Sequence, residues 1–122
     1  MKYKIELYED PSEFQGKVKA VVQCFNGSGF VAGIVGHHLI NALKMRLIGS
    51  LRGNVLNTVS IVREGVAHSP VELYYGNNLL LTFCEIPLPS GILPEVIESL
   101  FQWYGELGMD TVFVLGAYPA IT

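Results

Sequence analysis

The sequence predicts an α/β fold: one three-layer α/β/α domain over residues 1–122, built on a mostly parallel mixed sheet. Three observations lead there. Short apolar runs of strand length alternate with two stretches of helical periodicity. The first strand–helix–strand succession spans about 35 residues, the length of a crossover between parallel strands. Half of the chain is hydrophobic and only 16% is charged, as expected for strands covered on both faces.

The elements follow in order. "KYKIELYE" alternates, with Tyr3, Ile5 and Leu7 on one side, and reads as a half-buried strand near an edge. "DPSEFQGK" is a loop. "VKAVVQCF", residues 18–25, is continuously apolar and reads as a central strand. A glycine-rich turn leads into a helix over 30–44, with a stripe of Val31, Ile34, Val35, Leu39, Ala42 and Leu43. "RLIGSL" is the next strand. Arg63-Glu64-Gly65 marks a hairpin turn, and His68 falls in the loop after it. Gly76-Asn77-Asn78, which tolerate positive φ, join "VELYY" to "LLLTFCEI" as a second hairpin. A second helix over 92–107 carries Leu93, Val96, Ile97, Leu100, Tyr104 and Leu107 on its buried stripe, with Trp103 off it and Gly108 as its cap. "TVFVLGAY", residues 111–118, is a last apolar strand that reads as central.

The 13.4 kDa chain has a mean hydropathy of +0.38, high for so small a domain. Its apolar excess calls for burial against another subunit or inside a longer domain. A central strand followed by only four residues points the same way, to a domain lacking its C-terminal part. No apolar run reaches the roughly 20 residues of a membrane span, and no signal-peptide pattern opens the chain. The net charge of −3 and the scattered Lys17, Lys19, Lys44, Arg46, Arg52 and Arg63 argue against a nucleic-acid partner. Cys24 and Cys84 lie in apolar strands and read as buried free thiols of a cytoplasmic protein.

The turn Gly27-Ser28-Gly29-Phe30-Val31-Ala32-Gly33 invites a phosphate-cradle reading. Its third glycine comes one residue late for the dinucleotide fingerprint, and Met45–Asn54 lacks the acidic residue that should follow. The same glycines serve as a tight corner, with Gly33 and Gly36 letting the helix approach the sheet. Ser28 lacks the flanking glycines of a nucleophile elbow. His37 and His38 point about 100° apart and do not share a metal, and no metal-ligand spacing occurs elsewhere. Glu85, at the C-terminal end of an apolar strand, stands where open α/β sheets bind ligands.

Taken together, "FNGSGFVAGIVGHHLINAL", "IVREGVAHSPVELYYGNNLLLTFCEIPLP" and "ILPEVIESLFQWYGELGMDTVFVLGAY" resemble the PAC2 family of proteasome assembly chaperones. The resemblance rests on the glycine turn before a helix ending in Leu39-Ile40-Asn41-Ala42-Leu43. It also rests on Gly65, Pro70 and Tyr74 of the hairpin region, a helix with a Trp, and a strand closing at Gly116. It implies a phosphorylase/hydrolase-like α/β fold, oligomerisation and docking onto proteasome α subunits, without a cofactor. Family members in proteasome work often end in a hydrophobic–Tyr–any-residue tail; this chain ends Ala120-Ile121-Thr122, with Tyr118 further in.

Two functional expectations result. The first is a non-catalytic, oligomeric binder of proteasome α subunits, with Trp103 and Tyr118 as contact residues. The second is a small-molecule-binding or hydrolase-like enzyme that uses Gly27, Ser28 and Gly29 as an anion site and Glu85 as acid or base.

Overall fold

The structure is a computed structural model that describes residues 3–25, 31–53, 56–57, 59–89 and 91–115. In chain order the elements are β1 (Lys4–Leu7), β2 (Ala20–Phe25), α1 (Val31–Ala42), β3 (Arg46–Arg52), β4 (Ile61–Arg63), β5 (Val66–His68), β6 (Val71–Gly76), β7 (Leu79–Cys84), α2 (Leu93–Glu106) and β8 (Val112–Leu115). The strands are apolar and rich in β-branched and aromatic residues, as pleated, half-buried surfaces favour.

Six strands form one sheet in the order β1-β3-β6-β7-β2-β8. β2, β3, β7 and β8 run in one direction, so the sheet is mixed as expected. Yet only β7/β2 and β2/β8 are parallel neighbours; β1/β3, β3/β6 and β6/β7 are antiparallel, because β6 is inserted between β3 and β7. The β6–β7 hairpin turns on Asn77 and Asn78, both at positive φ (53° and 62°), as a two-residue type I′ loop requires. The crossover from β2 through α1 to β3 passes over two strands in one direction. The crossover from β7 through α2 to β8 passes over β2 in the other. The two helices lie on opposite faces, so both crossovers have the same hand.

Alternation along the strands divides the core in two. Val21, Val71, Leu73 and Leu80 pack beneath α2 with Val96, Leu100 and Tyr104. Cys24, Tyr74, Leu81 and Phe83 pack beneath α1 with Ala32. The loop before β2 sends Phe14, which is fully buried, into the α2 side. Tyr104 donates to Gln23 Oε1 at 3.0 Å and meets Thr82 Oγ1 at 2.7 Å, which gives these three buried polar groups partners.

Several expectations need correction. The face of α1 toward the sheet is made of Ala32, Gly33 and Gly36, while Val31 and Ile34 are exposed. A helix lying this close to the sheet has room only for small residues on its inner side. The α2 stripe is Val96, Ser99, Leu100, Trp103 and Tyr104. Trp103 is therefore not an outward contact residue: it is 8% exposed and packs edge-on against Phe14. β8 is the outermost described strand rather than a central one, and His68 closes β5 rather than lying in a loop.

Both thiols are free and buried. The β2/β7 register pairs Cys24 with Phe83 and Phe25 with Cys84, so the two cysteines face opposite sides of the sheet. Burial pushes Cys24 up to about 11 and Cys84 up to about 12 from a usual 9.0. The folded state thus keeps its thiols protonated to higher pH than the unfolded chain does. Their contribution to stability is complete below pH 9 and is lost as pH climbs through 11 to 12. Urea unfolding is expected to show lower stability at pH 10.5 than at pH 8, with a shallower fall in the Cys24→Ala/Cys84→Ala variant. Equal stability at the two pH values contradicts the assignment.

Candidate functional site

Glu72 lies in the middle of β6, on the face that carries α1 and next to Phe83 of β7. Its carboxylate is 3% exposed. An ionised carboxylate survives there only if donors surround it. Three do. Arg63 Nη2 and the Tyr74 hydroxyl donate to Oε1 at 2.9 and 3.1 Å, and His68 Nδ1 lies 2.8 Å from Oε2. β4 and β5 form a separate two-stranded sheet, turned by Glu64 and Gly65 at positive φ (51° and 80°). Its register puts Arg63 and His68 on one face, toward Glu72.

Glu85 extends the network. It follows β7 directly, and its Oε2 accepts from Arg63 Nη1 at 3.1 Å and meets His37 Nε2 of α1 at 2.6 Å. Arg63 therefore bridges two carboxylates, the use for which the forked guanidinium is suited. Its charge also lies 5.8 Å from the centre of the Phe83 ring, and the His37 ring meets the same phenyl edge-on at 4.8 Å. Burial lowers the pKa of Arg63, but the hydrogen bond and charge of Glu72, with Glu85 behind them, outweigh it and leave it raised. The Tyr74 phenol is pushed up by burial first, then by the charge of Glu72 beside it.

A cavity of about 390 Å³ opens beside this network, lined by His37 and Asn41 of α1, Tyr74 of β6, and Arg63, Val66 and His68 of the hairpin. It lies between α1, β6 and the hairpin. Glu85 next to the network marks the switch point: β2 and β7 are parallel neighbours whose following helices cover opposite faces, where open α/β sheets leave a crevice. Phe25, the last residue of β2, is paired with Cys84, one residue before Glu85. Glu85 thus stands at the strand end where it was expected, held by Arg63 and His37 rather than reaching into solvent. Gly27, Ser28, Gly29 and Tyr118 lie outside the described residues. His38 is exposed while His37 enters the site.

Glu72, Arg63 and His68 were not singled out from the sequence. The available signal was a lone carboxylate in an otherwise apolar strand, four residues after a histidine and nine after an arginine. Trp103 lines a different cavity, of about 310 Å³, between β1 and α2. Among the described residues no group of three or more His, Cys, Asp or Glu side chains is placed to hold a metal ion. No described helix is long and apolar enough to cross a membrane.

An open mixed sheet wound on both faces, with a charged crevice at its switch point, defines a doubly wound α/β domain. The PAC2 family model matches residues 21–121, and the chain belongs to the PAC2 family. An uncharacterized protein of Methanocaldococcus jannaschii is 25% identical over 93 residues, covering 74% of this chain and 38% of the relative. Among solved structures, Pyrococcus furiosus PbaA, an archaeal homolog of proteasome-assembly chaperone, superposes with a TM-score of 0.74 at 22% identity, over 92% of this chain and 47% of that one. P. furiosus PbaB, an archaeal proteasome activator, gives 0.76 at 22% identity, over 100% and 55%. The chain therefore spans about half the length, or less, of these relatives. The structural matches establish the α/β fold.

Proposed function

We propose that this chain acts as a proteasome-assembly-chaperone-like protein, binding proteasome α subunits as a homo-oligomer and without catalysis. Family membership supports the class. The observation that carries the reading is the exposure of large apolar side chains on α1 and on the β4–β5 hairpin. Ile34 is 68% exposed, Val62 68% and Val66 56%. Val66 lines the cavity, and Ile34 stands one turn before His37 on the same helical face. Exposed apolar groups next to a polar, structured rim are typical of surfaces that other proteins cover. Phe113 and Val114 on the outermost described strand add a second such surface. Trp103, being buried, takes no part, and the two buried free thiols fit a cytoplasmic setting. The test is complex formation with proteasome α subunits, for the wild type and for an Ile34→Asp/Val66→Asp variant that is expected to lose it.

The His37–Glu85 contact beside a 390 Å³ cavity favours a second reading, a small-molecule site at the switch point. A carboxylate that orients a histidine is a common acid–base arrangement. A small molecule that co-purifies with the chain and is lost in His37→Ala would move the assignment to that reading.

A further inference from the structure

We infer that the β4–β5 hairpin is a lid over the cavity beside Glu85, and that Arg63 is the latch that holds it shut. The inference rests on the geometry of the hairpin and is independent of the proposed function. The hairpin supplies Arg63, Glu64, Val66 and His68, half of the residues around the cavity, so the cavity exists only while the hairpin is down. Its strands pair with each other and not with the six-stranded sheet, so no backbone ladder ties it to the body. Apolar burial adds little: Val62, Val66 and Ala67 are exposed, and Ile61 is half-buried. What reaches the body is charge. Arg63 bonds Glu72 and Glu85, and His68 bonds Glu72.

This division has a physical consequence. A two-stranded hairpin with three-residue strands is not stable in water by itself. Released from its latch it frays, and its amides exchange. The six-stranded sheet keeps its own two apolar layers, so opening is local rather than global. Because Arg63 contacts two carboxylates, Glu72 of β6 and Glu85 just after β7, its loss removes two anchors and leaves only the His68–Glu72 contact, whereas loss of Glu85 removes one.

Hydrogen exchange followed by mass spectrometry tests the lid. In Arg63→Met, residues 61–68 are expected to exchange about tenfold faster or more than in the wild type, a larger rise than in β2 and β7, which share only the global cost of leaving Glu72 without its guanidinium. Arg63→Lys, which retains the charge but not the fork, is expected to fall between the two. Unchanged protection of residues 61–68 in Arg63→Met overturns the latch. Loss of protection in step with β2 and β7 overturns the lid, because the hairpin then opens only with the whole fold. Should Arg63→Met fail to fold, Glu85→Gln takes its place. A rise confined to 61–68 supports the inference, and no change at those residues overturns it.

Discussion

Glu72→Ala is expected to destabilise the fold by about 2–3 kcal/mol, less than the roughly 3–5 kcal/mol for stranding a buried charge, because Arg63 keeps Glu85 as a partner. The truncation leaves His68 facing an emptied site, and it strips the Tyr74 hydroxyl of its acceptor. At roughly 3–5 °C per kcal/mol for a chain of this size, thermal unfolding falls by roughly 6–15 °C. Glu72→Leu combined with Arg63→Met should recover most of the loss, since a well-packed apolar replacement of a buried pair is often neutral. The difference between single and double variants is the informative quantity, because it separates the penalty of an uncompensated charge from the net worth of the pair. A Glu72→Ala protein within about 1 kcal/mol of wild type in urea unfolding would mean that water or another group already solvates Arg63.

Gly36→Ala is expected to be the second most damaging of the changes considered. A Cβ at this position would lie 2.6 Å from two ring carbons of Phe83 and 3.3 Å from Cys24 Cβ. The ring cannot simply move. It lies against Tyr74 and His37 and under Arg63, so displacing it disturbs the same network that holds Glu72 and Glu85. Overpacking of this kind costs about 1–3 kcal/mol. Alanine returns about 1 kcal/mol of helix propensity, for a net loss of up to about 2 kcal/mol. Adding Phe83→Leu should relieve the clash, so the double variant should be more stable than the sum of the singles predicts. Strict additivity would show that α1 is not seated on Phe83 as described.

Much of the fold could be read from local pattern. Positive-φ residues at Asn77-Asn78 and Glu64-Gly65 mark two hairpins, and Gly108, at φ 81°, ends α2. Periodicity placed both helices to within a residue or two. The long-range arrangement could not be read so. Nothing local tells that β6 enters between β3 and β7, since that depends on which strand edges remain open after both crossovers are wound. The facing of α1 is legible in part. Gly33 and Gly36 meet the sheet as the sequence suggests, but hydrophobic periodicity also points Val31 and Ile34 inward, and the close approach leaves both outside. Val96, Leu100 and Tyr104 are buried in α2 as the periodicity predicts, and Trp103 joins them because the buried face runs through Ser99, a small polar residue, rather than through Leu93.

The site was half legible. Glu85 stood out because a charge ended an apolar strand, and the switch-point argument gave it a reason to be there. Glu72 did not, because a single carboxylate in an apolar strand carries no sign of the partners that bury it. Only the tertiary fold turns that face toward α1 and brings Arg63 and His68 over it from a separate hairpin. The chemistry of the crevice is thus made by three segments far apart in the chain, α1, the β4–β5 hairpin and the β6–β7 pair. No sequence spacing records their meeting.

The proposed binding of proteasome α subunits is tested by native mass spectrometry of the chain mixed with those subunits, with Ile34→Asp/Val66→Asp as the paired control. A complex of defined stoichiometry is expected with the wild type and is expected to be lost in the variant, while the variant remains folded. A wild-type chain that stays apart from α subunits at micromolar concentrations of both would contradict it.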